Sequence, residues 1–248
     1  MEDNRKIYAV GIGPGGLEFL TPAARRALDE AEVVVGYRPY LELVAEITAG
    51  KELVSTGMRG EVERCRRALE LARSGRRVAV VSSGDAGIYG MAGLLLELEE
   101  GRDDPLEVVV IPGVTAASAA AAALGAPLMN DFAVMSLSDQ LTPIAVIRDR
   151  IRAVAAADLV CALYNPQSRS RRELLREVID EFIRCRGPET VAGTVRNAGR
   201  CGQQCWLGLL KDLPVDQVDM VTVVLVGNSR TAIVNRRMVT RRGYQVAE

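Results

Sequence analysis

Short runs of β-branched residues alternate with amphipathic stretches through the first half of the chain. This is the pattern of a mostly parallel sheet covered by helices. The runs predict strands at Lys6–Ile12, Glu32–Gly36, Glu52–Ser55, Arg77–Ser82 and Glu107–Ile111. Between them, apolar residues at helical spacing predict helices at Pro22–Glu30, Tyr40–Thr48, Glu61–Ser74, Ile88–Glu99 and Thr115–Leu124. Thr21 before Pro22 reads as an N-cap followed by proline at the first helical position. Gly75 closes the third helix, where a left-handed residue costs glycine little.

The Gly125-Ala126-Pro127 turn and the polar pair Asn130-Asp131 interrupt this rhythm and predict a boundary between two α/β domains, 1–127 and 128–248. The second half predicts a strand at Phe132–Leu137, a helix near Ile144–Ala156, a strand at Asp158–Tyr164 and a long helix at Arg171–Arg186. Further strands fall near Thr190–Arg196, Gln204–Leu210 and Met220–Val226, and Ser229–Tyr244 alternates as a final hairpin. No internal repeat of fixed period and no low-complexity tract is visible.

Composition narrows the chemistry. The chain has 248 residues, 48% of them hydrophobic, enough for a sizeable core. Lys and Arg number 31 against 32 Asp and Glu, a formal charge of −1 that argues against a general nucleic-acid binder and leaves only local arginine clusters for an acidic ligand. Histidine is absent from the sequence. That excludes Ser-His-Asp and Cys-His catalysis and His-ligated zinc, so proton transfer must use carboxylates, Tyr, Lys, Cys or water. A reactive cofactor that brings its own driving force fits such a chain. The five cysteines (Cys65, Cys161, Cys185, Cys201, Cys205) are odd in number and scattered, which suits reduced thiols. Cys201 and Cys205 lack the second pair of a metal site and read as ordinary thiols near a turn. The opening MEDNRKIYAVGIGPGG has no apolar leader, and Gly113–Met129 is too short and too weakly apolar for a membrane span. The expectation is a soluble cytoplasmic protein with no metal, nucleic-acid or membrane partner.

Three strand-to-helix loops are candidates for function. Gly11-Ile12-Gly13-Pro14-Gly15-Gly16 satisfies G-x-G-x-x-G, but Pro14 removes an amide donor and the second strand ends in Gly36-Tyr37 rather than a carboxylate for a ribose. Nicotinamide binding is disfavoured, leaving either a bare backbone loop at a strand's carboxyl end or a tight turn alone. Ser82–Met91 is rich in small residues, and its one fixed charge, Asp85, either accepts hydrogen bonds from a ligand or caps the following helix, or both. Val110–Ser118 repeats the strand-turn-helix plan, with Thr115 and Ser118 able to cap. Three such loops on neighbouring strands would converge on one cleft.

Taken with these loops, Val35-Gly36-Tyr37, Ser83–Ala92, Tyr164-Asn165-Pro166, Val195–Arg200 and Val226–Ser229 resemble the tetrapyrrole methylase family over nearly the whole chain. The wording is nearest the branch that methylates carbon 17 of precorrin-3B in cobalamin biosynthesis. The resemblance implies two α/β domains with S-adenosyl-L-methionine between them, a small-molecule tetrapyrrole substrate and a homodimer. It implies methyl transfer at ring carbon 17 with contraction of the macrocycle to precorrin-4, on metal-free precorrin-3B or alternatively on cobalt-factor III or another precorrin position. Carried over residue by residue, the cofactor positions are Pro14, Ser83, Gly84, Asp85, Ile88, Thr115, Ala116, Leu163 (where relatives often place a methionine) and Ala198.

Uroporphyrinogen methylases end the second strand in an aspartate proposed as a base, and this chain has Tyr37 there, which argues against that activity. Tyr37 and Asp85 are the candidates for assisting the loss of a hydroxyl proton that opens the rearrangement. The polycarboxylate ring would pair with arginines, for which Arg38, Arg59, Arg169, Arg196 and Arg200 are candidates. The runs Arg171-Arg172, Arg236-Arg237 and Arg241-Arg242 read as solvated faces or a subunit contact, and Trp206 as a core or interface anchor. The competing functions are a dinucleotide oxidoreductase, a methylase of a macromolecule and a non-catalytic precorrin carrier.

Overall fold

Strands at Lys6–Gly11 (β1), Val33–Tyr37 (β2), Glu52–Thr56 (β3), Val78–Ser82 (β4) and Glu107–Ile111 (β5) alternate with helices Pro22–Glu30 (α1), Arg38–Leu43 (α2), Glu61–Arg73 (α3), Ala92–Glu99 (α4) and Ala116–Leu124 (α5). In the computed structural model, which describes residues 6–57, 60–168, 171 and 173–245, these strands form one parallel sheet in the order β3-β2-β4-β1-β5. Both faces of such a sheet are covered, so its inner strands must be apolar on both sides. Period-two alternation then sorts the side chains. Ile7, Ala9, Val33, Val35, Val78 and Val80 pack against Cys65, Ala68 and Leu69 of α3 and Leu95 of α4. Val10, Val34, Ala79 and Val81 pack on the opposite face against Ala24 and Leu28 of α1 and Leu41 of α2. The connections leaving β1 and β4, which are neighbours, therefore cross opposite faces of the sheet. Such a switch opens a crevice at the carboxyl ends of those two strands.

The second half contains Gly125–Ala126 (β6), Phe132–Ser136 (β7), Ile144–Ala156 (α6), Val160–Tyr164 (β8), Glu173–Arg186 (α7), Val191–Arg196 (β9), Gln204–Leu209 (β10), Thr222–Val226 (β11), Thr231–Val234 (β12) and Arg237–Thr240 (β13). A mixed sheet runs β10-β9-β11-β8-β7, in which the β7–β8 pairing is parallel. Ile147, Ile151, Leu175 and Phe182 of α6 and α7 pack on its Leu163, Val224 and Val226. Arg186 is buried at the end of α7. Its guanidinium donates to the carbonyls of Val154 (2.6 Å), Ala155 (3.0 Å) and Gly227 (2.7 Å), so one side chain satisfies the C-terminal carbonyls of α6 and anchors the loop after β11.

The chain divides into two compact units, Met1–Ala116 and Ala117–Glu248, so α5 counts with the second unit rather than with the first domain as expected. Contacts of α5 explain the shift. The Tyr164 hydroxyl accepts the Ala117 amide, Arg237 donates to the Ala123 carbonyl, and Leu124 fills the space where Gly193 lacks a side chain. The expected break at Gly125–Pro127 is instead a strand, β6, paired in parallel with β13. At Gly125, with φ of +143°, an added β-carbon would stand 2.6 Å from the Met238 carbonyl oxygen, so only glycine permits the pairing.

Thr21 caps α1 through its hydroxyl, which accepts the Ala24 amide at 3.1 Å, and Gly75 takes φ of +88° after α3. Helix α4 starts at Ala92 rather than Ile88, because Tyr89 adopts φ of +56° and the loop closes on itself first. Helix α2 starts at Arg38, two residues ahead of expectation, with Pro39 in its first turn. Among the described residues, no helix is long and apolar enough to cross a membrane, and no group of three or more His, Cys, Asp or Glu is placed to hold a metal ion.

Burial raises the Cys65 thiol to about 11 and the Cys161 thiol to about 12, whereas Cys201 and Cys205 are exposed and Cys205 is raised by partial burial. Because the thiolate is the reacting form, Ellman's reagent at pH 8 is expected to label Cys201 first, Cys205 next, and Cys65 and Cys161 only on unfolding. Peptide mass mapping reads the order, and labelling of Cys65 or Cys161 in the native protein would contradict it.

Candidate active site

The loops leaving β4, β1 and β5 lie side by side because the strands do, and they pack without side chains between them. A β-carbon on Gly11 would stand 2.7 Å from the Gly113 nitrogen and 2.9 Å from the Ala86 nitrogen, and one on Gly113 would strike the Gly84 carbonyl oxygen. Gly13 and Gly84 are paired backbone to backbone: the Gly13 amide donates to the Gly84 carbonyl (3.0 Å) and the Gly84 amide to the Gly13 carbonyl (2.7 Å). Both sit at positive φ, +77° and +74°, a conformation that costs other residues about 1–2 kcal/mol. The G-x-G-x-x-G string therefore serves loop-to-loop contact rather than a dinucleotide turn, and the chain runs on through a 3-10 turn, Leu17–Phe19, before α1.

Asp85 ties this cluster together. One carboxylate oxygen accepts the Gly87 amide (2.8 Å) and the other accepts the Gly113 amide (2.9 Å), joining the β4 and β5 loops. It does not cap α4, which starts beyond its reach in sequence. The Ser82 hydroxyl, not singled out in the sequence, accepts the Met91 amide at 3.0 Å and closes the same loop from behind. On the open side of Gly84 an added β-carbon would meet only Ala116 N (3.7 Å), Thr115 Cα (3.9 Å) and Val114 O (4.0 Å), all ordinary contacts. A strip of bare main chain thus runs from Gly84 to Thr115 and Ala116, with Pro14 buried next to Gly13 and Ser83 half-buried beside Gly84. Ile88, 37% exposed, lies on the outer part of the loop.

Tyr37 stands at the carboxyl end of β2 on the same edge of the sheet. Gly36 before it lets β2 approach β4, since a β-carbon there would lie 2.5 Å from Val81 Cγ2. The Tyr37 ring meets Tyr40 edge-on at 5.3 Å, its hydroxyl makes no hydrogen bond among the described residues, and the Arg64 guanidinium lies 6.0 Å from its centroid. Arg64 was not evident as a site residue. The signal was a charge at position 64 on the stripe Cys65, Ala68, Leu69, Ala72, which α3 buries.

In the second unit, Leu163 is fully buried and its side chain belongs to the core beneath α6 and α7, so this position can meet a ligand only through its main chain. Ala198, 6% exposed, sits in the β9–β10 turn after Asn197, which takes φ of +53°. The Tyr164-Asn165-Pro166 string is structural here: Tyr164 receives the Ala117 amide at 2.7 Å, and Asn165, at φ of +50°, donates to Ser136 Oγ at 3.0 Å. Gly227-Asn228-Ser229 is likewise a lock, with the Asn228 amide on the Asp158 carbonyl and the Ser229 hydroxyl on the Asp158 carboxylate.

Of the arginines proposed for a polycarboxylate, Arg38 is 80% exposed and pairs with Glu42 at 3.2 Å. Arg196 pairs with Asp219 at 2.8 Å; burial pushes the Asp219 carboxyl up, but bonds from Arg196, Thr222 and the Val221 amide outweigh it and hold the group below its ordinary value. Arg200 follows the Asn197 turn, its amide on the Asn197 carbonyl. Arg59 and Arg169 lie outside the described residues. Arg171, expected on a solvated face, is buried, paired with Asp139 and bonded to the Asn165 carbonyl, while Arg172 lies outside the described residues. Arg236, Arg237, Arg241 and Arg242 are exposed. Trp206 is partly buried against the core of the second unit.

A parallel α/β unit with glycine loops locked together at the switch between β1 and β4 presents a surface made mainly of main chain at the place where open α/β sheets bind ligands. The family described as Tetrapyrrole (Corrin/Porphyrin) Methylases matches residues 6–214, and the chain belongs to that family. It is 48% identical, over 96% of its length and 99% of the relative's, to the probable cobalt-factor III C(17)-methyltransferase of Salmonella typhimurium. The crystal structure of the methyltransferase CobJ superposes with a TM-score of 0.88 at 39% identity, covering 95% of this chain and 98% of that one. Uroporphyrin-III C-methyl transferase from Thermus thermophilus, solved with S-adenyl homocysteine, superposes with a TM-score of 0.68 at 26% identity, covering 90% and 97%.

Gly113→Ala is expected to force the β5 loop off the Gly84 carbonyl, lowering thermal stability by about 2 kcal/mol, the usual range for overpacking, and weakening adenosylhomocysteine binding in calorimetry by at least tenfold. The neighbouring exposed Gly93→Ala, whose β-carbon meets nothing within 4 Å, controls for helix effects. Equal behaviour of the two variants would contradict the packing argument.

Proposed function

We propose that the chain is an S-adenosyl-L-methionine-dependent C-methyltransferase of cobalamin biosynthesis that methylates carbon 17 of cobalt-factor III with contraction of the macrocycle. The observation that carries this reading is the 48% identity, across 99% of its length, to a relative named for that reaction. A second reading, the same chemistry on metal-free precorrin-3B giving precorrin-4, rests on the family resemblance of the sequence. The family and the adenosylhomocysteine-bound neighbour support the cofactor.

The cofactor supplies an activated methyl on a sulfonium, so the protein need not provide a nucleophile. Its residues hold and orient. The bare strip at Gly84, Thr115 and Ala116, with Pro14 and Ser83 at its side, fits a ligand pressed against main chain, and Asp85 fixes the loops that make the strip. Leu163 and Ala198 enter this reading through the family resemblance. Holding methyl and acceptor carbon near contact distance in a dry site is worth ~7–11 kcal/mol, which is how a chain lacking histidine can reach enzymatic rates. In the second reading, ring contraction would begin with loss of the hydroxyl proton of precorrin-3B, and Tyr37 or Asp85, or a water held by them that carries the proton to solvent, would assist its removal. Both Asp85 oxygens already accept amides, whereas the Tyr37 hydroxyl makes no hydrogen bond among the described residues, so the proton path favours Tyr37.

Incubation of the purified protein with adenosylmethionine and each macrocycle, followed by mass spectrometry, tests the reading. A product heavier by one methyl from cobalt-factor III is expected, product from precorrin-3B alone would select the second reading, and no product from either would reject both. Within the same assay, Tyr37→Phe is expected to lower kcat at least tenfold with adenosylhomocysteine affinity unchanged. Asp85→Ala is expected to weaken that affinity, because two amides lose their acceptor at about 1–3 kcal/mol each. The reverse pattern would exchange the two roles.

A further inference from the structure

The mechanism above makes no use of Arg64, whose setting is unusual. The residue is 4% exposed in the first turn of α3. No carboxylate pairs with its guanidinium among the described residues, and its Nε is buried with no hydrogen-bond partner. A buried cation without a counter-ion is costly and is normally neutralised or replaced. What Arg64 does touch is confined to the carboxyl edge of β2, β3 and β4. One Nη donates to the Gly57 carbonyl at 3.1 Å in the loop after β3, the other lies 3.8 Å from Met91 Sδ in the loop after β4, and the guanidinium carbon is 6.0 Å from the Tyr37 ring centroid.

From this arrangement we propose that Arg64 is a positioning residue for the reaction, holding the Tyr37 ring in place while joining the loops after β3 and β4. A neutral core residue would fill the space but could not do all three: the carbonyl needs a donor, the thioether a weak one, and the ring face a cation. Among the described residues, Arg64 faces an aromatic ring and pairs with no acid, and the hydroxyl of that ring makes no hydrogen bond. The proposal rests on the reading that Tyr37 serves the substrate, and its test separates the two.

The experiment compares Arg64→Gln and Arg64→Lys, alone and combined with Tyr37→Phe, in the full chain. Calorimetry with adenosylhomocysteine and thermal unfolding are expected to show folded proteins that bind within twofold of the parent. Arg64→Gln is expected to lower kcat at least tenfold with the adenosylmethionine KM unchanged, Arg64→Lys to recover part of the loss, and the effect of Arg64→Gln to vanish once Tyr37 is Phe. A cycle in which the two effects simply multiply would overturn action through Tyr37, as would full activity of Arg64→Gln. Protein carrying 3-fluorotyrosine supplies a readout independent of turnover. The Tyr37 line, identified by its loss in Tyr37→Phe, is expected to shift and broaden in Arg64→Gln more than in Arg64→Lys, and an unmoved line overturns the proposal whatever the activity. Full activity of Tyr37→Phe together with a shifted line would instead reject the catalytic reading of Tyr37, and with it a positioning role of Arg64 in the reaction.

Discussion

Three backbone loops that approach closely enough to exclude a β-carbon at Gly11 and at Gly113 are the constraint from which the rest follows. Gly11, Gly84 and Gly113 meet main chain to main chain, and Gly13 joins them through two hydrogen bonds with Gly84. Only a parallel sheet with β4, β1 and β5 adjacent delivers three loops to one place, and only glycine tolerates the approach. Asp85 then converts proximity into a fixed geometry, since its carboxylate serves one amide on its own loop and one on the next. The surface so formed is made largely of main chain, with Asp85 its one fixed charge, which is the surface expected when the chemistry belongs to the bound molecule and the protein's task is orientation.

That division of labour accounts for the composition. A chain without histidine cannot build the usual proton relays, and the structure contains no substitute relay at the glycine loops: Asp85 is occupied in shaping them. What remains on the same edge of the sheet is a tyrosine hydroxyl, standing among a second tyrosine and a buried arginine. The edge therefore falls into two parts, a main-chain strip over β4, β1 and β5 and a side-chain cluster over β2 and β3.

Much of this was legible in the sequence because it depends on local rules. Short β-branched and apolar runs located β1, β2 and β4, the Thr21-Pro22 pair located the start of α1, and Gly75 located the end of α3. The functional loops stood out because glycine, proline and small residues cluster at the ends of apolar strands. What escaped was nonlocal. The Gly125–Ala126 pair looked like a break because its partner, β13, lies more than a hundred residues on. The start of α4 was set by an Asx turn and a left-handed tyrosine that no periodicity reveals. Leu163 was carried over from the family resemblance, whereas its side chain answers to the α6–α7 core. Arg64 carried no expectation from the sequence, because arginine is usually exposed, although its place on an apolar stripe marked it.

The central claim is that the main-chain strip at Gly84, Asp85, Thr115 and Ala116 holds the sulfur-bearing cofactor. A crystal structure of the protein soaked with adenosylhomocysteine tests it most directly. The account predicts the ligand lying along Gly84–Asp85 with Thr115 and Ala116 against it. Electron density for the ligand at any other part of the molecule, with that strip bare, would contradict it.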